Sequence, residues 1–73
     1  MRKYSRFLLE KLYTTRKGEL TLEEFEKKYT QEYQKEVTNK DKLKLAAEIK
    51  YSKEIGVKYR TGEFGIKTVY FLK

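Results

Sequence analysis

The chain is 73 residues long, carries a formal net charge of +7 and contains neither Cys nor His. This length fits one small domain over residues 1–73 and argues against a multidomain enzyme. Without Cys or His the chain has no disulfide framework, no thiolate nucleophile, no imidazole base and no zinc site of the usual kind. We therefore expect a protein without enzymatic activity, cofactor, metal or small-molecule substrate.

The apolar content predicts a fold of marginal stability. Leu, Ile, Val and Phe account for 18 of the 73 residues, which is above the ~20% below which chains stay disordered. In so short a chain burial barely exceeds the entropy of ordering, so a homodimer or a bound partner would add stability. No apolar run approaches a membrane span and no signal-peptide core follows Met1-Arg2-Lys3, which predicts a soluble cytoplasmic protein.

Positive charge is concentrated at the two ends of the chain. Residues 1–18 carry a net charge of +5, residues 19–36 carry −3 and residues 37–73 carry +5. Clustered Lys and Arg favour a polyanionic partner, most economically nucleic acid, because binding releases counterions from the phosphates. The alternative is that an AT-rich genome over-uses Lys, which would make these lysines ordinary solvated side chains.

The N-terminal part predicts a helix followed by a short extended segment. Tyr4, Leu8 and Leu12 recur at four-residue spacing within a helix from about Arg2 to Tyr13. The extended segment covers residues 19–21.

A second helix is expected to begin at Leu22, because Thr21 and Glu24 match a capping box. The helix is expected to continue to Val37, because its apolar face runs that far, unless the helix breaks near Thr30. That face carries Leu22, Phe25, Tyr29, Tyr33 and Val37. Its two central tyrosines belong either to the core or to a dimer seam.

A third helix is predicted from about Asp41 to Glu54, after a turn that contains the capping residues Thr38 and Asn39. Its buried face is expected to carry Leu45, Ile49 and Ser52. Ala46 and Ala47 are small enough to allow close packing against another helix.

The last segment predicts a β-hairpin. Residues 57–61 alternate apolar and basic side chains, so Val57 and Tyr59 point inward while Lys58 and Arg60 point outward. In the loop over residues 62–65, two glycines supply the unusual backbone angles of a tight turn. The second strand, residues 66–72, carries apolar residues on both of its faces. The sequence therefore does not determine which face points toward the core.

This order of elements resembles the winged helix-turn-helix family. Residues 45–49, 55–62 and 65–72 look most like the winged module that closes viral and phage primase-helicases, with an Ile-Gly-Val step, a basic strand, a Gly turn and a Val-Tyr-Phe strand. The resemblance implies an α+β fold of three helices followed by a C-terminal hairpin wing. It also implies binding of double-stranded DNA in most members, whereas a substantial minority bind RNA or protein.

In a helix-turn-helix the start of the third helix enters the major groove, which makes its lysines candidate contacts. The third helix has no Arg, Asn or Gln beyond Asn39. It therefore lacks the side chains that form bidentate hydrogen bonds with guanine and adenine. On the wing only Glu63 opposes the basic residues, and Arg60 is the candidate for the minor groove. Tyr51 either reaches DNA or packs over Ile55 in the core. The predicted nucleic-acid contacts are Lys40, Lys42, Lys44, Lys50, Tyr51, Lys58, Arg60, Lys67, Arg2 and Lys3.

Phe64 at the hairpin tip is either a wedge, a protein-contacting anchor or a side chain that folds back. The first hypothesis is a DNA-binding transcription or replication accessory factor of a virus, phage or mobile element. The alternative is a module that binds and modulates a host protein through the acidic second helix and Phe64. An RNA-binding module is the third hypothesis.

Overall fold

The computed structural model describes residues 3–73, which form three α-helices and three β-strands. In chain order these are α1 (Lys3–Thr14), β1 (Glu19–Thr21), α2 (Leu22–Tyr33), α3 (Asn39–Lys50), β2 (Ile55–Gly62) and β3 (Gly65–Leu72). The strands form one antiparallel sheet in the order β1-β3-β2. The predicted α+β class and the predicted order of elements are confirmed.

The central strand β3 determines which face of the sheet contacts the helices. Tyr70 lies opposite Val57 on β2 and opposite Leu20 on β1, and Leu20 and Tyr70 belong to the core. Because side chains alternate between faces along a strand, the residues of β3 that turn toward the helices are Ile66, Thr68, Tyr70 and Leu72. This identifies the core-facing side of β3, which the sequence alone did not determine.

The core lies where the helices meet the sheet and is rich in aromatic rings. Phe7 packs edge-on against Phe25 and Tyr29, with ring centroids 5.8 and 5.6 Å apart, an arrangement that aromatic quadrupoles favour. Within residues 3–73, the hydroxyl of Tyr29 is the one buried side-chain polar atom that has no hydrogen-bond partner. The core cluster comprises Tyr4, Phe7, Leu8, Leu12, Leu20, Phe25, Tyr29, Leu45, Ile49, Ile55 and Tyr70.

Helix α2 ends at Tyr33, so the prediction that it continues to Val37 is wrong. Gln34 adopts a left-handed conformation with φ 54° and ψ 39°, and its N–H donates a 2.8 Å hydrogen bond to the Thr30 carbonyl. Glycine or asparagine usually occupies such a position. A glutamine there does not indicate from the sequence that the helix ends. Tyr33, the last residue of the helix, is 42% exposed, whereas Val37 packs against the core from the loop.

The boundaries of α3 are set by two local side-chain interactions. Thr38 is the N-cap and forms a capping box with Asp41. After the helix, Ser52 Oγ accepts hydrogen bonds from the backbone N–H groups of Glu54 and Ile55 at 3.3 and 3.2 Å. Such bonds compete with helical ones, so the prediction of a helix continuing to Glu54 with Ser52 on its buried face is wrong.

No helix within residues 3–73 is long and apolar enough to cross a membrane.

Candidate nucleic-acid interface

The solvent-facing side of α3 is the candidate interface. Leu45 and Ile49 are buried, and at 100° per residue a row of four residues lies on the opposite side of the helix, within an arc of about 80°. We call this row and its two neighbours the α3 outer face; it comprises Lys40, Leu43, Ala47 and Lys50, flanked by Lys44 and Tyr51.

Ala46 and Ala47 are both exposed. The prediction that they pack against another helix is therefore wrong. The reason is geometric, because α3 turns Leu45 and Ile49 toward the core and its alanines lie outside that buried arc.

The lysines of α3 differ in how they are held. Lys40 and Lys44 are exposed and make no ion pair within residues 3–73. Lys50 lies with its Nζ 5.9 Å from the ring centroid of Tyr51, and Tyr51 is 73% exposed, so the alternative that Tyr51 packs into the core is wrong. Lys42, in contrast, pairs with Glu26 of α2 at 3.2 Å.

The two carboxylates of α3 are directed away from its outer face. Asp41 accepts hydrogen bonds from the Tyr4 hydroxyl and from the Thr38 N–H. These bonds, the one from Tyr4 above all, hold the pKa of Asp41 at about 2. Glu48 Oε1 accepts the backbone N–H of Ser5 at 2.9 Å. The α3 outer face therefore carries positive charge and no negative charge.

On the hairpin, Lys58 and Arg60 are paired with Glu19 of β1. Lys58 Nζ lies 2.9 Å from Glu19 Oε2, and Arg60 Nη2 lies 2.9 Å from Glu19 Oε1. Both hydrogen bonds, that of Lys58 first, hold the pKa of Glu19 below its ordinary value. The expectation that only Glu63 opposes the hairpin cations is wrong, because strand pairing brings β1 close to β2 across β3.

The hairpin cations lie in a different layer from α3. Arg60 is opposite Lys67, and Lys58 is opposite Val69. By the alternation along each strand, all three cations occupy the sheet face remote from the helices. The sheet therefore separates the hairpin cations from the helical layer to which the α3 lysines belong.

Of the two predicted N-terminal contacts, Lys3 is exposed at the start of α1. Its Nζ lies 5.1 Å from the ring centroid of Tyr33, within the range of a cation–π interaction. Arg2 lies outside the described residues.

The hairpin also exposes large apolar side chains. Tyr59 and Ile66, on the sheet face that turns toward the helices, are 71% and 75% exposed, and Phe64 at the tip is 95% exposed. The interpretation in which Phe64 folds back is therefore wrong. Of the two loop glycines only Gly65 has a positive φ, 123°, so the prediction of unusual backbone angles is wrong for Gly62.

Comparison of the chain with protein-family models, curated proteins and solved structures found no match. Within residues 3–73 no group of three or more His, Cys, Asp or Glu side chains could hold a metal ion. The α3 outer face offers ammonium groups, aliphatic side chains and one phenol ring. This combination suits a polyanion that also presents apolar groups.

Proposed function

We propose that the protein is a small winged helix-turn-helix domain that binds double-stranded DNA through the α3 outer face. The element order, with β1 paired to β3 beside the β2–β3 hairpin, supports this arrangement. In it α3 is the recognition helix and the hairpin is the wing. The observation that carries the proposal is that α3 presents exposed lysines outward while both of its carboxylates are engaged inward. The proposed role is that of a transcription or replication accessory factor of a virus, phage or mobile element.

The spacing of the lysines suits the major groove. Lys40 and Lys50 lie ten residues apart, about 15 Å along the helix axis. The major groove is about 12 Å wide and admits an α-helix. Lys40 and Lys50 lie at the two margins of the exposed arc, so their ammonium groups can reach phosphates on the groove walls. Ala47 between them leaves room for the helix to approach the base edges.

Titration of a DNA duplex at increasing salt concentration tests the proposal. We expect affinity to fall with a log–log slope of about −0.9 per phosphate contacted, and Lys44→Ala to reduce that slope by about 0.9. Lys27→Ala is the matched control, because Lys27 is an exposed lysine of the acidic helix α2 and its loss removes the same charge. Absence of saturable duplex binding by the unmodified chain would refute the proposal.

A second candidate function is a module that binds and modulates a host protein. The exposure of Tyr59, Phe64 and Ile66 on the hairpin favours it, because aromatic anchors contribute much of the free energy of binding at protein interfaces. Phe64→Ala should then abolish binding of the partner. A purified partner that binds the unmodified chain and not this variant, together with no duplex binding, would select this candidate over the first.

A further inference from the structure

We infer that the α3 outer face prefers A·T-rich DNA because it recognises the C5-methyl group of thymine. The inference rests on the proposed DNA binding and specifies what α3 reads in the groove. It comes from the apolar centre of the α3 outer face, which the lysines alone do not explain.

Two apolar residues lie between the end lysines of the row. Leu43 is 73% exposed, and Ala47 follows it one helical turn later and is also exposed. Both point away from the buried Leu45, at about 160° around the helix axis. When the lysines contact phosphates on either side, these two side chains face the floor of the groove.

The chemistry of the major groove determines what such side chains can recognise. Thymine presents a methyl group there, whereas the other bases present only hydrogen-bond donors and acceptors. An aliphatic side chain gains free energy by burying that methyl group. Against guanine or cytosine it would cover polar groups without replacing their hydrogen bonds to water, which is unfavourable. Attraction to one base and rejection of others together give the preference.

The remaining residues of α3 do not counteract this preference. Asp41 and Glu48 could accept a hydrogen bond from cytosine, but both are already engaged by α1. Asn39 is exposed in the first turn of α3, and asparagine pairs with adenine, the partner of thymine. Lys40 and Lys50 lie at the ends of the row, near the groove walls rather than its floor.

The test compares two duplexes of the same A·T-rich sequence, one with thymidine and one with deoxyuridine at every thymine position. Deoxyuridine retains base pairing and lacks only the methyl group. From about 0.8 kcal/mol per buried methyl-sized group, we expect affinity to fall about fourfold for each methyl that α3 contacts. Leu43→Ser should remove most of this difference. Ile66→Ser is the matched control, because Ile66 is equally apolar and 75% exposed on the hairpin, and it should keep the full difference.

The possible results separate the inference from the proposed function. Equal affinity for the two duplexes, with salt-dependent binding retained, would overturn the inference and leave the proposed function standing. A thymidine preference that survives Leu43→Ser and is lost in Ile66→Ser would overturn the assignment to α3. If neither duplex shows saturable binding, the proposed function itself fails.

Discussion

Arg60 of β2 donates a 2.9 Å hydrogen bond to Glu19 of β1, a residue 41 positions earlier in the chain. Lys58 binds the other carboxylate oxygen of Glu19, so one carboxylate holds two hairpin cations over the central strand. Both cations are among the residues predicted from the sequence to contact DNA. Any phosphate that they contact must compete with Glu19.

This competition predicts a graded effect of substitutions on DNA binding. Arg60→Ala should reduce the salt slope by less than the 0.9 expected for an unpaired contact, because Glu19 holds Arg60 on the sheet face remote from the helices. Lys44→Ala should show the full reduction. Glu19→Gln should strengthen duplex binding, because it releases both cations and removes a negative charge. The measurement is a salt titration of each variant. Equal reductions for Arg60→Ala and Lys44→Ala would show that Glu19 does not restrain Arg60.

Local patterns predicted much of the fold. The four-residue spacing of Tyr4, Leu8 and Leu12 located α1, and the Thr21–Glu24 pair correctly located the start of α2. Such signals are readable because each depends on residues only three or four positions apart.

Interactions that depend on backbone conformation or on distant residues could not be read in this way. Gln34 ends α2 in a conformation that glutamine rarely adopts, and Ser52 ends α3 through its own hydroxyl. The pairing of Glu19 with Arg60 follows only from the sheet register. At the candidate interface the sequence pointed to the lysines but not to Leu43, although the burial of Leu45 and Ile49 already implies that Leu43 lies opposite them.

The left-handed conformation of Gln34 predicts that glycine stabilises the fold at this position. Gln34→Gly should raise the free energy of unfolding by about 1 kcal/mol, because glycine adopts positive φ without a Cβ clash. Gln31→Gly is the control, since Gln31 is an exposed residue within α2 and should lose about 1 kcal/mol. Chemical denaturation measures both. A decrease for Gln34→Gly similar to that of Gln31→Gly would contradict the helix end at Tyr33.

The lowered pKa of Asp41 predicts acid sensitivity. Hydrogen bonds from Tyr4 and Thr38 lower this pKa from 3.8 to about 2 in the folded protein. A depressed folded-state pKa stabilises the fold above the unfolded-state value, and the contribution is lost as the pH falls from about 4 toward 2. The unmodified chain should therefore have a higher Tm than Asp41→Asn at pH 7, and the difference should shrink through this range.

Thermal unfolding followed between pH 7 and pH 2 measures this loss. Glu63→Gln is the control, because Glu63 is exposed at the hairpin tip and makes no ion pair within residues 3–73. Its Tm should follow that of the unmodified chain at each pH. A difference between the unmodified chain and Asp41→Asn that stays undiminished at pH 2 would show that ionisation of Asp41 does not stabilise the fold.

Of the two stacked tyrosines of the core, only Tyr4 should lose stability when its hydroxyl group is removed. Tyr4 and Tyr29 have ring centroids 5.8 Å apart, but the Tyr4 hydroxyl donates to Asp41, whereas the buried Tyr29 hydroxyl has no partner within residues 3–73. Tyr29→Phe should leave the free energy of unfolding unchanged or raise it by up to about 1 kcal/mol, because an unsatisfied buried polar group is removed. Tyr4→Phe should lower Tm by several degrees, because the Asp41 carboxylate loses its donor. A loss of stability in Tyr29→Phe as large as that in Tyr4→Phe would mean that the Tyr29 hydroxyl is hydrogen-bonded in solution.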